Sequence, residues 1–212
     1  MSATGIGAPV RRKEDFRFIT GKGQYTDDSN RPGQTHAAFL RSPHAHATIK
    51  RLDVSQARAS EGVLAVLTGD DLAADKVGGL ICGWMIHSKD GSPMKAGAHP
   101  ALAQGKVRYV GDHIAVVVAE TLAQARDAVE KIHVDYEVFA PVVALDQATK
   151  SGAPVIHDVA PNNQVYDWHL GDKAAADGAF AKAHHVTKID LVNNRLIPNA
   201  MEPRAAIGDY DS

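Results

Sequence analysis

The densest chemistry in this sequence lies in Asn199-Ala200-Met201-Glu202-Pro203-Arg204, where a carboxylate and a guanidinium stand two residues apart across a proline. Such a pair can supply a general base and an anion clamp, because each group is free to reach a different partner. Pro198 and Pro203 bracket the segment, each fixing its own φ and removing a donor, so both side chains are presented from a stiffened turn. The plainer reading, and the one favoured, is an ion pair of Glu202 and Arg204 that anchors the start of a strand.

His44 and His46 sit at i and i+2, which puts both on one face of a strand and allows chelation of a metal, with Asp27 or Asp53 as a further ligand. No third ligand is specified by spacing, so turn histidines are the simpler reading. His184 and His185 are adjacent and face opposite ways on a strand; they suit a helix exit, where a cationic ring meets the C-terminal dipole. His87, His99, His113, His157 and His169 stand alone. Cys82, the single cysteine, reads as a small buried residue rather than a reactive thiol, since no second cysteine or adjacent cation activates it. Glycines are plentiful, yet none forms Gly-x-Gly-x-x-Gly or Gly-Lys-Ser/Thr, and Gly-x-Ser-x-Gly is absent, so phosphate loops and nucleophile elbows have no support. Catalytic, cofactor-binding and metal-ligating residues are accordingly all assigned as none.

The elements that would carry these residues follow from periodicity. Strands are expected over Thr35–Leu40 and Ala47–Leu52, joined through Ser42-Pro43-His44 as a hairpin or a corner. A short helix over Ser55–Ala59, closed by Gly62, leads into a strand over Val63–Leu67, and Thr68 or Asp70 caps a second short helix. Residues 78–105 hold six glycines and two prolines and read as a long functional or interfacial loop. Strands over Lys106–Val110, Ile114–Ala119 and His133–Val138 enclose a helix over Leu122–Lys131, whose N-cap is Thr121 and whose apolar stripe is Leu122, Ala125, Val129 and Ile132. A helical turn over Leu145–Thr149, a helix over Lys173–Ala183, and strands over His185–Leu196 and Ala205–Tyr210 complete the reading.

Composition narrows the class. The 212 residues carry a net charge of -2, which offers no field for nucleic acid. The longest apolar run falls short of the roughly 20 residues a bilayer span needs. One cysteine fits a reducing compartment, and the expected location is cytoplasmic. Arg11-Arg12 precedes charged residues rather than the apolar segment of an export signal.

Four stretches resemble the large-subunit family of molybdenum hydroxylases, which includes xanthine dehydrogenase, aldehyde oxidase and aerobic carbon monoxide dehydrogenase. They are Arg12–Asp27, Phe39–Ala47, Val107–Thr121 and Asn193–Asp211, and their order runs nearly end to end. The carbon monoxide dehydrogenase-like branch is the nearest in flavour. The resemblance implies an α/β (α+β) fold: an N-terminal arm over 1–14, a hammerhead-like α/β domain over 15–150, a linker over 151–170, and the first strands of a molybdopterin-binding domain over 171–212. It implies a parent enzyme that oxidises an aldehyde, an N-heterocycle or carbon monoxide with water-derived oxygen. The parent subunit would hold the molybdenum-molybdopterin cofactor, with iron-sulfur clusters on a small subunit and FAD on a medium subunit as partners. The glycine-rich cofactor loop, the glutamine-bearing strand and the late glutamate base of that family have no counterpart in these residues. The chain is therefore expected to be an inactive N-terminal portion without cofactor; the alternative is a stand-alone non-catalytic hammerhead module for binding or assembly. A zinc hydrolase built on His44 and His46 is a remote third reading.

Overall fold

The computed structural model describes residues 5–194 and 196–211. They fall into two compact units, Thr35–Val186 and the described residues of Met1–Gln34 with Thr187–Ser212.

The larger unit is an α/β fold with two three-stranded antiparallel sheets. Strands β1 (His36–Arg41), β5 (His113–Ala119) and β3 (Val63–Thr68) form the first, in the order β1-β5-β3. Strands β4 (Lys106–Val107), β2 (Ala47–Asp53) and β6 (His133–Val138) form the second, in the order β4-β2-β6. Successive strands alternate strictly between sheets. The Ser42-Pro43-His44 link is therefore a corner rather than a hairpin. Ser42 builds that corner: its Oγ accepts from the His44 N–H at 3.0 Å and donates to the His44 carbonyl at 2.8 Å.

β5 is the shared wall, and its nearly unbroken apolar run follows from burial on both faces. Ala115, Val117 and Ala119 pack with Val54, Ala57 and Val66 against helices α2 (Ser55–Arg58) and α4 (Leu122–Val129). Ile114 points the other way, into a second cluster with Ala47, Ala103 and Val107. Thr121 caps α4 as expected, in a reciprocal box with Gln124. The expected stripe enters the core at Ala125, Val129 and Ile132, and departs from it at one position. Leu122 is exposed and Ala128 is buried instead, and the small side chains of Ala125 and Ala128 face the sheet. Thr68 caps α3 (Gly69–Ala74) through a similar box with Asp71.

The expected strand over Lys106–Val110 ends at Val107, because the Arg108 N–H is taken by the Asp112 carboxylate at 3.0 Å instead of a neighbouring strand. Helix α5 spans Lys173–Lys182. Residues 151–170 are stitched rather than loose: Asn163, at φ +57°, donates to the Ala148 and Pro154 carbonyls and accepts from the Ile156 N–H.

In the smaller unit a short helix, α1 (Asp15–Ile19), follows an Arg12–Asp15 ion pair; the sequence patterning did not suggest it. The strands expected over His185–Leu196 and Ala205–Tyr210 are not formed by any described residue. Alternation alone does not stabilise a strand pair without a sheet to join. Ile189, Leu191 and Val192 are all exposed, so neither face of this segment is buried.

Candidate functional site

Glu202 and Arg204 do not form the expected ion pair. Glu202 is exposed, and its Oε1 accepts from the Thr26 N–H at 2.7 Å and the Thr26 Oγ1–H at 2.8 Å. The same hydroxyl lies 3.2 Å from the Pro203 carbonyl. Among the described residues Arg204 has no ion-pair partner. The turn between the two prolines thus holds the Tyr25-Thr26-Asp27 turn of the same unit, and a shallow pocket opens between them. Thr26 was missed because nothing local marks it; its partner is 176 residues away.

His44 and His46 diverge in chemistry. His44 is half-buried with its ring edge-on to Tyr136 at 4.8 Å. His46 is buried, its Nδ1 lies 3.0 Å from the Ala140 carbonyl, and its ring packs on Phe139. Its Nε2 is buried without a hydrogen-bond partner among the described residues. Among the described residues no three His, Cys, Asp or Glu side chains converge as a metal site. Both histidines serve the β2–β6 edge.

Cys82 is exposed, contrary to the buried expectation. It borders a cavity of about 1000 Å³ in the larger unit, and its Sγ is 3.5 Å from the Trp84 carbonyl. The long loop over 78–105 forms most of that cavity and is built rather than slack. The Leu80 N–H donates to His99 O, Lys95 N–H to Val165 O, and Lys89 N–H to Asp167 O. Glycine is required where the loop closes: a Cβ on Gly97 would lie 2.3 Å from His157 Nδ1, and one on Gly79 would lie 2.6 Å from the His99 carbonyl oxygen.

Two histidines read singly in the sequence, His99 and His157, lie in this lining together with Tyr109. His99 Nε2 lies 3.3 Å from the Tyr109 hydroxyl, and His157 stands near Arg108 and Lys106. Burial pushes the Tyr109 phenol up, reinforced by the Asp112 carboxylate. Burial pulls His157 below its ordinary value, and Arg108 and Lys106 pull it further. His113, packed on Phe39, is lowered by burial and then by Arg41, and its Nε2 is buried without a hydrogen-bond partner among the described residues.

The pattern of the aldehyde oxidase and xanthine dehydrogenase a/b hammerhead domain matches residues 20–139. The chain belongs to that family. It is 35% identical to the carbon monoxide dehydrogenase large chain of Afipia carboxidovorans over 98% of this chain and 26% of that protein. It is also 35% identical to the nicotine 6-hydroxylase large subunit of Paenarthrobacter nicotinovorans, over 97% of this chain and 24% of that protein. The solved structure of reconstituted CO dehydrogenase from Oligotropha carboxidovorans overlays 85% of this chain and 23% of that one, with 36% identity and a TM-score of 0.68. The hammerhead chain spans about a quarter of the length of these relatives. The two antiparallel sheets of Thr35–Val186 are the α/β fold that the resemblance implied. Among the described residues no helix is long and apolar enough to cross a membrane.

Proposed function

We infer that this hammerhead chain is the N-terminal scaffold of a molybdenum-dependent hydroxylase large subunit, whose parent enzyme oxidises a substrate carbon with water-derived oxygen. The observation that carries this reading is the apolar surface of the smaller unit. Leu191, Val192, Leu196, Ile197 and Met201 are exposed by 80% or more, far beyond what scattered surface residues of a finished domain need. Polypeptide equivalent to the remaining three quarters of the relatives is the natural cover, with residues from about 171 opening the cofactor-binding domain.

The molybdopterin cofactor belongs to that further polypeptide. The carboxylate of the Glu202–Arg204 motif is occupied by Thr26, which supports an anchoring rather than a cofactor-binding role for these residues. The chain positions and packs, and the redox chemistry is supplied elsewhere, with electrons leaving through an iron-sulfur subunit and a flavin subunit in the cytoplasm.

The test is metal analysis and turnover by the purified chain, alone and then co-expressed with the remaining large-subunit sequence and the two partner subunits. Molybdenum and activity toward an aldehyde, an N-heterocycle or carbon monoxide are expected only in the assembled complex. Stoichiometric molybdopterin on the isolated chain, or failure of the chain to enter the complex, overturns the reading, and the second outcome favours a stand-alone module.

A further inference from the structure

The scaffold role leaves the cavity of the larger unit without a purpose. At about 1000 Å³ it is at the upper end of the size range of small-molecule pockets. Its lining mixes two chemistries. Leu80, Ile81, Met85, Met94 and Val165 make an open apolar wall, the first three more than half exposed, with two methionines able to adapt to irregular ligand shapes. Lys95, Lys106 and Arg108 add three cations, and among the described residues none of them has a carboxylate within ion-pair distance.

Asp112 is the one acidic side chain among the described lining residues, and its Oδ2 is already engaged by the Arg108 N–H. Arg108 is itself positioned, since its Nε donates to the Ile156 carbonyl at 3.2 Å while its terminal nitrogens keep their donors. A guanidinium held by one edge presents a planar fork that matches a carboxylate. Burial lowers His157 first, and Arg108 and Lys106 lower it further, in keeping with two cations on the same side of the cavity. The loop is fastened to residues 165–167 by backbone bonds and by the Lys89–Asp167 ion pair, so the cavity walls are held in place.

We propose that this cavity binds an amphipathic organic anion, an apolar chain bearing a carboxylate head, with Arg108 and Lys95 receiving the head and Leu80, Ile81, Met85, Met94 and Val165 receiving the chain. The proposal stands apart from the scaffold reading.

Calorimetric titration of the purified chain with laurate, dodecyl maltoside and acetate tests it. Laurate is expected to bind at least about tenfold more tightly than the neutral maltoside or the chainless acetate, the factor that one charge-assisted contact supplies. Arg108→Gln and Lys95→Gln should each weaken laurate at least about fivefold, while Lys50→Gln, on the second sheet and paired with Glu137, leaves it within about twofold. Circular dichroism melts confirm that each variant is folded. Lys95→Gln carries the test if Arg108→Gln fails to fold, because Lys95 binds Val165 only through its backbone. Absence of laurate binding, equal affinity for the maltoside, or weakening by Lys50→Gln as large as by Lys95→Gln overturns the proposal.

Discussion

Thr26 and Glu202 are joined twice through one carboxylate oxygen, which accepts from both the backbone amide and the side-chain hydroxyl of the threonine. A threonine near the start of the chain is thereby tied to a turn near its end. The contact gives Glu202 an anchoring role within the smaller unit, because one oxygen holds two donors of the same residue.

Glu202→Ala removes both acceptor contacts at once. The Thr26 amide should exchange with deuterium about tenfold faster, as expected when a hydrogen bond to a charged group is lost at an exposed site. Amides of β5 should be unaffected. Hydrogen exchange with mass spectrometry reads both, and unchanged protection at Thr26 removes the anchoring role.

Gly62→Ala should cost roughly 2 kcal/mol in urea unfolding, combining left-handed strain with loss of part of a helix cap. Gly62 sits at φ +74°, and a Cβ there would lie 2.1 Å from Gln124 Nε2. Gln124 is the side chain that completes the Thr121 box, so one methyl disturbs both the turn and the start of α4. A Gln124→Ala background should absorb part of the cost, since the clashing group is then gone.

Ile114→Ala should cost about 2 to 5 kcal/mol, because the side chain is fully buried and the surrounding wall is held by strands on both sides. Leu64→Ala, on the exposed face of β3, should change stability by less than about 1 kcal/mol. Thermal melts of the two variants should differ accordingly.

Acid sensitivity should begin in the histidine range. Burial holds His113 and His157 below their ordinary values, so the folded state favours neutral rings and the unfolded chain takes up protons first. Stability from these rings is present above the unfolded histidine value of about 6.5 and is lost as pH falls below it. His113→Gln should flatten that part of the stability profile. A second decline, at lower pH, follows Asp71, whose carboxyl is lowered by the Thr68 hydroxyl, then the Thr68 amide, then Arg58. Its contribution is present above the ordinary carboxylate range and lost below it, and Asp71→Asn should remove it. Urea midpoints measured across pH separate the two declines.

Much of the larger unit was legible because its signals are local. Thr121 with Gln124, Thr68 with Asp71, and Gly62 each announce an element boundary within four residues. The apolar run of β5 likewise announces a buried strand. The cavity was not legible, since His99, Tyr109 and His157 meet only through the path of the long loop. The strands expected after residue 184 misled for a related reason: alternation records what a segment will pair with, and no described residue supplies that edge. The buried Cys82 reading failed because a glycine-flanked loop position carries no periodicity from which to infer a face.

The strict alternation of strands between the two sheets constrains how the chain is made. The first sheet has β5 at its centre, so neither β1 nor β3 has a neighbour until the residues around 113–119 have left the ribosome. The second sheet waits longer, until β4 and β6 can dock on β2. Nascent chains arrested before that length should remain protease-sensitive throughout, and both sheets should gain resistance late, within a short window of synthesis.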